Sequence, residues 1–292
     1  MSVGLWVLAG FGLVLLGLLL YWVFVVTEGA YLGPRVVAWT YDLAARKYDT
    51  IKQFSAQDDS WLLAGPMMRK LRHVNGPLIL DVATGTGRFP LALLDHSRFQ
   101  GFVVGLDLAR KMLHHAEIKL AAHAGRYALI WQDAQRLPFP DGTFDAVSCL
   151  EALEFTPDPQ QILAEMARVL RPGGALLVTN RINWERKLMP GKAFTDDEIR
   201  AMLEEADLVR IEIRPWQVYY DLIWAVKRDE ASRLGHATRE LPNILCCPAC
   251  QATPLVEEPG QMTCPECGAT YTIKDNILEL ASPAYTRNSS IV

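Results

Sequence analysis

The chain has 292 residues, with 29 basic and 33 acidic side chains and a formal net charge of −4 at pH 7. This length accommodates one large domain, or one medium-sized domain with small additions. A slightly acidic chain has no overall positive field with which to grip nucleic acid, so the charge balance argues against a nucleic-acid partner.

The chain begins with an apolar segment, residues 3–26, that contains no charged side chain. A helix needs roughly 20 apolar residues to cross a bilayer, and this segment is longer than that. Trp6, Tyr21 and Trp22 lie toward its ends, where aromatic residues of membrane helices concentrate. A cleaved signal peptide would have a basic N-terminal region and a small-residue cleavage site, which are missing here. The sequence therefore predicts a transmembrane anchor over residues 1–26.

The charges that flank this segment predict its orientation. Arg35, Arg46 and Lys47 follow it, and no basic residue precedes it. By the positive-inside rule, the rest of the chain then lies in the cytoplasm. We therefore expect a single-pass membrane protein with a cytoplasmic domain.

From residue 77 onward, buried strand patterns alternate with amphipathic helix patterns. The predicted strands are 77–83, 102–108, 127–134, 144–153, 174–182, 209–220 and 221–228. The predicted helices are 89–97, 109–124, 159–172 and 195–208, the last with Thr195 as its N-cap. This order predicts an α/β, Rossmann-like domain with a mostly parallel, seven-stranded sheet covered on both faces. In such sheets, ligands bind at the carboxyl ends of the strands.

A glycine-rich turn, Asp-Val-Ala-Thr-Gly-Thr-Gly-Arg-Phe, follows the first predicted strand. Gly85 and Gly87 permit a tight turn and a close approach of the backbone to a ligand. The third glycine of a dinucleotide fingerprint is replaced by Pro90, and the Gly-Lys-Ser/Thr of a P-loop is missing. Asp81, beside the turn, suits a positively charged amino-acid group better than a pyrophosphate.

Two further acids end the next two predicted strands. Asp107 can accept hydrogen bonds from both hydroxyls of a ribose. Asp133 can accept one from an exocyclic amine, and Ala134 beside it leaves room for a ring. Each acid alone is typical of a loop or a helix cap. Together with Asp81 they predict a nucleoside site at the ends of three consecutive strands.

Four segments carry a family resemblance: DVATGTGRF, GLDLARKML, QDAQRLPFPDGTFDAVSCLEALEF and EMARVLRPGGALLVTN. Over about residues 41–228 the chain resembles class I S-adenosylmethionine-dependent methyltransferases of type 11. That group includes the C-methyltransferases of ubiquinone and menaquinone biosynthesis. The resemblance implies an enzyme that uses S-adenosylmethionine, with an N-terminal lid over the cofactor.

The resemblance also implies which residues hold the cofactor. They are Asp81, Ala83, Thr84, Gly85, Thr86, Gly87, Asp107, Leu108, Met112, Asp133, Ala134 and Glu151, with Tyr41 and Tyr48 of the lid. Ordinary helix packing remains an alternative for Leu108 and Met112. It also remains one for Tyr41 and Tyr48, because their spacing of seven suits one face of a helix.

The acceptor is constrained less closely. Methyl transfer needs a base only when the acceptor must lose a proton. The candidates near the expected cleft are Glu151, Glu154, Arg181 and Asn183. The fourth strand lacks an Asn-Pro-Pro-Tyr type of motif, which favours carbon or oxygen acceptors. The anchor favours a lipid-like acceptor. Residues 181–194 look shorter than the corresponding region of quinone enzymes, which argues against a quinone as the acceptor.

Two cysteine pairs near the C-terminus have the spacing of a zinc site. Cys247 and Cys250 form one CxxC knuckle, and Cys264 and Cys267 form the other. Four thiolates at this spacing suit a closed, tetrahedral zinc site, with a reactive thiol pair as the alternative. Cys246 is a spare cysteine that can substitute for Cys247. The surrounding sequence resembles the small zinc-ribbon activator subunits of methyltransferases, which implies a protein contact or regulation within the chain.

These interpretations define the expected organisation. We predict an anchor at 1–26, a methyltransferase domain at 27–228 with a lid at 35–75 and a core at 76–228, a linker at 229–242 and a zinc ribbon at 243–285. The leading hypothesis is a membrane-anchored methyltransferase for a small or lipid-like acceptor. The alternatives are an RNA or protein methyltransferase whose ribbon recruits the substrate, and a cofactor-binding scaffold without catalysis.

Overall fold

The computed structural model describes residues 3–52, 54–229 and 240–281. The α-helices are α1 (Val3–Tyr21), α2 (Pro34–Ala44), α3 (Tyr48–Lys52), α4 (Ala56–Asp59), α5 (Gly65–Lys70), α6 (Arg88–Leu94), α7 (Arg110–Leu120), α8 (Pro159–Val169), α9 (Asn183–Leu188) and α10 (Asp196–Glu205). The strands are β1 (Leu78–Val82), β2 (Phe102–Asp107), β3 (Tyr127–Trp131), β4 (Phe144–Cys149), β5 (Leu170–Arg181), β6 (Leu208–Gln217), β7 (Tyr220–Lys227), β8 (Val256–Glu258), β9 (Gln261–Thr263), β10 (Thr270–Lys274) and β11 (Ile277–Glu279).

The strands form one sheet in the order β6-β7-β5-β4-β1-β2-β3-β11-β10-β9-β8. Strands β1 to β5 pair in parallel, whereas β7 runs antiparallel between β5 and β6. The predicted α/β sheet is therefore confirmed. From β1 the chain adds β2 and β3 on one side of the sheet and then β4 and β5 on the other. The point between β1 and β4 is therefore the switch point at which α/β sheets bind ligands.

Local sequence explains why these elements form. All five residues of β1 are buried, as expected of a central strand covered on both faces. The predicted N-cap Thr195 accepts a hydrogen bond from the backbone N–H of Glu198, and the Glu198 carboxylate accepts one from the backbone N–H of Thr195. Such a capping box stabilises a helix by about 0.5–2 kcal/mol.

Helix α1 projects away from the folded domain. A π-helical turn, Trp22–Val26, extends this helix. Together they contain the stretch Trp6–Val26, which is long and apolar enough to cross a membrane and has no buried residue. The end of this stretch is tied to α9 and the loop after it. The indole N–H of Trp22 donates to the Leu188 carbonyl oxygen at 3.1 Å, and the Tyr31 hydroxyl donates to that of Pro190 at 2.8 Å. The rings of Trp22 and Tyr31 stack with centroids 5.3 Å apart.

The cysteine-containing region extends the sheet. Strand β11 pairs in parallel with β3, with Ile277 opposite Leu129 and Leu278 opposite Ile130. The sequence predicted a separate ribbon, and strand pairing between the two parts was not foreseen. Residues 230–239 of the predicted linker and 282–285 of the predicted ribbon lie outside the described residues.

Candidate cofactor site and cysteine cluster

A cleft of about 740 Å³ lies at the carboxyl ends of β1 to β4, beneath α2. A smaller cleft of about 400 Å³ adjoins it over the glycine-rich turn and shares part of its lining. The predicted cofactor residues that line the larger cleft are Tyr41, Tyr48, Ala83, Gly85, Asp107, Leu108, Met112, Asp133, Ala134 and Glu151. Those that line only the smaller one are Asp81, Thr84 and Thr86. The fold thus brings together side chains that are spread over more than a hundred positions of the chain.

Asp107 is held in place by backbone groups on both sides. Its carboxylate accepts the N–H of Gly85 at 2.7 Å and that of Ala109 at 2.7 Å. Burial raises the pKa of Asp107 to about 6, although these two N–H groups oppose the shift. The carboxylate is therefore mostly ionised at neutral pH. It lies at the end of β2 with its orientation already fixed, as a ribose-binding acceptor requires.

The end of β3 places the adenine-site candidates in the same cleft. The carboxylate of Asp133 accepts hydrogen bonds from the backbone N–H and the side-chain amide of Gln135, at 2.9 and 2.8 Å. Ala134, next to it, and Met112 of α7 supply small and apolar lining. This part of the cleft suits a flat ring with one polar edge.

Asp81 is buried beneath the glycine-rich turn. Its two oxygens accept hydrogen bonds from the hydroxyls of Thr84, at 2.7 Å, and Ser148, at 2.6 Å. Burial raises the pKa of Asp81 to about 7, although the two hydroxyls oppose the shift. The acid therefore connects the glycine-rich turn after β1 to strand β4, and it lines the smaller cleft.

Backbone conformation at the strand ends is unusual. Gly85 adopts a φ of +56°, which favours glycine, but Ala83 and Glu151 also have positive φ values of +54° and +52°. Strain at non-glycine residues concentrates at functional sites, and here both residues line the cleft. Gly87 lies outside both clefts. A Cβ added there would come within 3.1 Å of Ala116, so this glycine permits the packing of α6 against α7.

Glu151 is the only catalytic candidate, among the described residues, that lines the cleft. Its carboxylate pairs with Lys52 at 2.8 Å and with Arg88 at 2.7 Å, and it accepts a hydrogen bond from Gln217 at 3.1 Å. Burial alone would raise the pKa of Glu151, but the two cations lower it below its ordinary value. A carboxylate held in this way is a poor proton acceptor, which argues against Glu151 as the base.

The lid is attached by further side-chain contacts. Asp49 accepts a hydrogen bond from the Thr86 hydroxyl at 2.6 Å and forms an ion pair with Lys119 at 2.6 Å. Tyr41 and Tyr48 line the cleft with their ring centroids 5.9 Å apart. Burial raises the pKa of both phenols well above the ordinary value, so both remain protonated. The Tyr41 phenol is hydrogen-bonded to Glu28, whereas the Tyr48 phenol can donate a hydrogen bond to a ligand.

The other catalytic candidates do not reach the cleft. Glu154 and Arg181 are buried beside it, where Tyr220 donates to the Glu154 carboxylate at 2.5 Å and Arg181 donates at 3.1 Å. Burial raises the pKa of Glu154, although Arg181 opposes the shift. Asn183 is exposed and donates to the Val218 carbonyl oxygen at 2.6 Å. These contacts connect the region after β4 to β5 and β7.

A larger groove of about 2280 Å³ lies on the β6–β7 face. Its charged lining is six arginine and lysine residues and one acid: Arg69, Lys70, Arg72, Arg98, Arg210, Arg214 and Glu212. A positive groove repels a sulfonium cation, whereas the cleft beneath α2 has carboxylates around it. The groove is larger, but its positive charge does not suit a cationic cofactor. The charge of the cleft beneath α2 does, so the cleft is the candidate cofactor site.

The four paired cysteines come together as predicted. The sulfurs of Cys247, Cys250, Cys264 and Cys267 all lie within 4.8 Å of one another. Cys247 and Cys267 are 3.6 Å apart and Cys250 and Cys264 are 3.5 Å apart. Tetrahedral zinc with bonds of about 2.3 Å would separate its sulfurs by about 3.8 Å, so the arrangement fits. Cys246 is not part of the cluster; its backbone N–H donates to the Pro138 carbonyl oxygen.

Several site residues were not foreseen. Lys52, Arg88 and Gln217 hold Glu151, and the Thr179 hydroxyl accepts the Glu151 backbone N–H at 2.6 Å. Only Arg88 carried a sequence signal, since it lies inside the glycine-rich motif. The others belong to elements far from that motif, and only the fold brings them to it.

Comparison with known proteins agrees with this geometry. A methyltransferase-domain family matches residues 80–178, and a Trm112p-like protein family matches residues 238–276. Demethylmenaquinone methyltransferase of Bacillus licheniformis is 32% identical over 181 residues, which is 51% of this chain and 78% of that protein. The enzyme of the same name from Shouchella clausii is 36% identical over 135 residues, which is 45% of this chain and 57% of that protein.

Among solved structures, the [4+2]-cyclase SpnF superposes on this chain with a TM-score of 0.56 and 17% identity. The matched region is 68% of this chain and 97% of the cyclase. That likeness shows a shared fold alone. The sequence matches and the cleft together define an S-adenosylmethionine-dependent methyltransferase. The chain belongs to the class I family of these enzymes, and it carries a C-terminal region of the Trm112p-like type.

Proposed function

We propose that this protein transfers a methyl group from S-adenosylmethionine to a ring carbon of an apolar, quinone-like acceptor. The observation that carries the proposal is the cleft at the ends of β1 to β4, where Asp107 and Asp133 stand at the ends of neighbouring strands. We assign the ribose hydroxyls to Asp107 and the adenine to Asp133, Ala134 and Met112. Asp81 and Thr86 line the adjoining cleft, which we assign to the methionine part.

The acceptor class rests on three supports. The relatives reported above are named for the methylation of demethylmenaquinone. The cleft also has an apolar and aromatic lining that includes Val37, Tyr41 and Phe155. The exposed apolar helix would anchor the enzyme in the membrane where such acceptors dissolve, with the domain in the cytoplasm.

When bound, the cofactor supplies an electrophilic methyl group on a positively charged sulfur. The residues of this chain then align the acceptor and exclude water. Tyr48 remains protonated, so it can donate to an acceptor oxygen and orient the ring. The electron-rich carbon of the reduced, quinol ring takes the methyl group, the sulfur keeps the electron pair of the broken S–CH3 bond, and the ring carbon then loses its proton to solvent. Glu151 is a poor acceptor for that proton because Lys52 and Arg88 hold it ionised.

For the cysteine cluster we propose a structural zinc ion bound by Cys247, Cys250, Cys264 and Cys267. Closed four-thiolate sites of this kind supply folding energy and leave no position for a substrate. The region they organise lies against the adenosine half of the cleft. Arg110, at the start of α7, pairs with Glu279 at 3.1 Å and with Asp275 at 3.0 Å. The region would therefore support the cofactor site within the same chain.

The test uses the full chain in lipid nanodiscs with S-adenosylmethionine labelled in its methyl group. Reduced demethylnaphthoquinone acceptors, bulk RNA and a protein extract are each supplied separately. We expect label in the naphthoquinol, at the ring carbon, and about 10- to 100-fold less of it after the change Asp107→Asn when the cofactor is below saturation. Ile118→Ala, on the exposed side of α7, is the matched control and should leave the rate unchanged.

The other outcomes separate the alternatives. Label in RNA or protein, with none in the quinol, would contradict the proposal and favour a macromolecular substrate. Tight cofactor binding without label in any acceptor class would favour a cofactor-binding scaffold. Label on a quinol oxygen instead of carbon would keep the acceptor and overturn the assignment of the acceptor atom.

A further inference from the structure

Large apolar side chains are exposed near the end of the membrane-length helix. Among the described residues after that helix, twelve large apolar side chains are exposed. Five of these lie in residues 31–51, and three more are Trp184, Val218 and Tyr219. Of the other four, Trp61 and Leu62 line the basic groove on the β6–β7 face, and Ile118 and Val256 lie elsewhere. Soluble surfaces seldom collect apolar side chains in this way unless they meet a partner or a membrane.

Helix α2 shows the clearest two-sided pattern. Val37 and Tyr41 line the cofactor cleft on its inner side. On the opposite side, Arg35, Trp39 and Leu43 are exposed and spaced four residues apart. These three residues define the outer face of α2.

Basic side chains stand at both ends of this face. Arg46 and Lys47 follow α2 and are exposed, as is Arg35 at its start. The acid of this helix, Asp42, is turned toward α7, where it accepts the backbone N–H of Lys111 at 2.8 Å. A face with Trp and Leu in the middle and basic residues at both ends is typical of a helix lying in a membrane interface.

The location of these residues identifies the partner. Trp22, near the end of the membrane-length helix, is hydrogen-bonded to Leu188 of α9, and Tyr31 is hydrogen-bonded to Pro190. Trp184, on the same short helix α9, is 57% exposed. Asn183 of α9 in turn binds the turn that carries Val218. Tyr31, Trp184 and Val218 therefore belong to segments that are hydrogen-bonded, directly or through α9, to the end of the membrane-length helix.

We infer that the outer face of α2, with Trp184 and the turn at Val218, lies in the headgroup layer of an anionic phospholipid bilayer. This inference rests on the proposed anchoring, and it adds a second contact with the membrane. Because the inner side of α2 covers the cleft, the bilayer and the cofactor site share one helix. An apolar acceptor would reach the cleft along α2 directly from the membrane, without crossing water.

The test places an environment-sensitive fluorescent amino acid at position 39 of the full chain, in nanodiscs of equal parts phosphatidylcholine and phosphatidylglycerol. The matched control carries the same probe at position 118, because Trp39 and Ile118 are 57% and 58% exposed. Lipids brominated near the headgroup end of the acyl chains should quench the probe at 39 several-fold more than the probe at 118. Equal quenching at the two positions, or none at 39, would overturn the inference.

Charge gives a second readout on the same chain. The double change Arg46→Glu and Lys47→Glu should reduce quenching at position 39 in anionic nanodiscs, with little change when phosphatidylglycerol is omitted. An equal effect in both lipids would contradict the choice of an anionic surface. Neither quenching experiment depends on catalysis. Failure of quinol methylation with quenching intact would therefore remove the proposed acceptor and leave the membrane contact standing.

Discussion

The lid and the cysteine-containing region flank the same cofactor cleft, but they are attached to it by different forces. Strand β11 is joined to β3 by backbone pairing, and the backbone N–H groups of Leu280 and Ala281 add hydrogen bonds to the Trp131 carbonyl oxygen. The lid segment α3 is attached by side chains. Lys52 pairs with Glu151, and Asp49 pairs with Lys119 and Thr86.

This difference predicts which side moves. A solvent-exposed ion pair contributes only about 0–1 kcal/mol, and the Asp49 side chain is 42% exposed. The Lys52 side chain is 29% exposed, and its buried partner Glu151 keeps its ion pair with Arg88 when Lys52 moves away. Buried strand pairing is much harder to break, because every lost backbone bond leaves an unsatisfied group. We therefore expect the lid to release the cofactor, and the cysteine-containing region to remain fixed beside the proposed adenosine half of the site.

The largest expected effect is on the fixed side. Removing zinc with a chelator, or the change Cys264→Ser, should unfold the cysteine-containing region, because structural zinc contributes about 10–16 kcal/mol to such folds. Strand β3 then becomes an open edge, which favours aggregation. Sedimentation and limited proteolysis measure both effects. Cys246→Ala is the control, since Cys246 lies outside the cluster, and it should retain zinc and remain monodisperse.

The next effect is the pH dependence that the Asp107 carboxylate gives to stability and to cofactor binding. Burial raises the pKa of Asp107 to about 6, so between pH 4 and 6 the folded, cofactor-free protein holds more protons than the unfolded chain does. Asp107 therefore stabilises the cofactor-free fold less as pH rises through this window. Cofactor affinity runs the opposite way: it should increase up to about tenfold per pH unit below 6 and level off near 7.

Calorimetric titration with S-adenosylmethionine across this pH range measures the effect. Asp107→Asn should weaken binding by about 10- to 100-fold, because hydrogen bonds to a charged group contribute about 1.5–3 kcal/mol, and it should remove the pH dependence. If the pH dependence persists in Asp107→Asn, Asp81 would be the titrating group, since its pKa is raised to about 7. That result would contradict the assignment to Asp107.

A smaller effect is expected at the junction of α7 with the cysteine-containing region. Arg110→Ala removes the ion pairs to Glu279 and Asp275 and the hydrogen bond to the Lys274 carbonyl oxygen. These groups are partly exposed, so cofactor affinity should fall by no more than about fivefold. Lys111→Ala, one residue along and exposed, is the control. A loss of more than a hundredfold would show that the junction does more than support α7.

The smallest effect on affinity is expected in the lid. Lys52→Met keeps the aliphatic stem but removes the ion pair to Glu151, which should raise the cofactor dissociation rate a few-fold. Stopped-flow displacement of the bound cofactor measures this rate. Lys47→Met, exposed and outside the site, is the control. A slower dissociation in Lys52→Met would contradict the view of the lid as a releasable cover.

Most of the fold was predictable because its signals are local. Buried runs such as that of β1, the helical pattern of α8 and the capping box at Thr195 all lie within short windows of sequence. The pairing of β11 with β3 was not predictable. It joins Leu278 to Ile130, almost 150 positions apart, and a short strand carries no signal that identifies its neighbour.

The cofactor site shows the same limit. Asp81, Asp107 and Asp133 were identified because each follows a strand, and parallel strands bring their carboxyl ends to one edge. Glu154 and Arg181 were also expected in the cleft, but the structure buries them beside it with Tyr220. Position after a strand indicates the correct edge of the sheet. It does not indicate which way a side chain points after the backbone changes direction. The backbone changes direction in this way at Glu151, where φ is positive.

Hydrogen exchange measured by mass spectrometry on the full chain in nanodiscs, with and without S-adenosylmethionine, tests the contrast between the two attachments most directly. We predict fast exchange in residues 34–52 without cofactor and strong protection when it is bound. Residues 127–131 and 277–280 should exchange slowly in both states. Slow exchange of the lid without cofactor, or exchange of β11 as fast as that of the lid, would contradict the account.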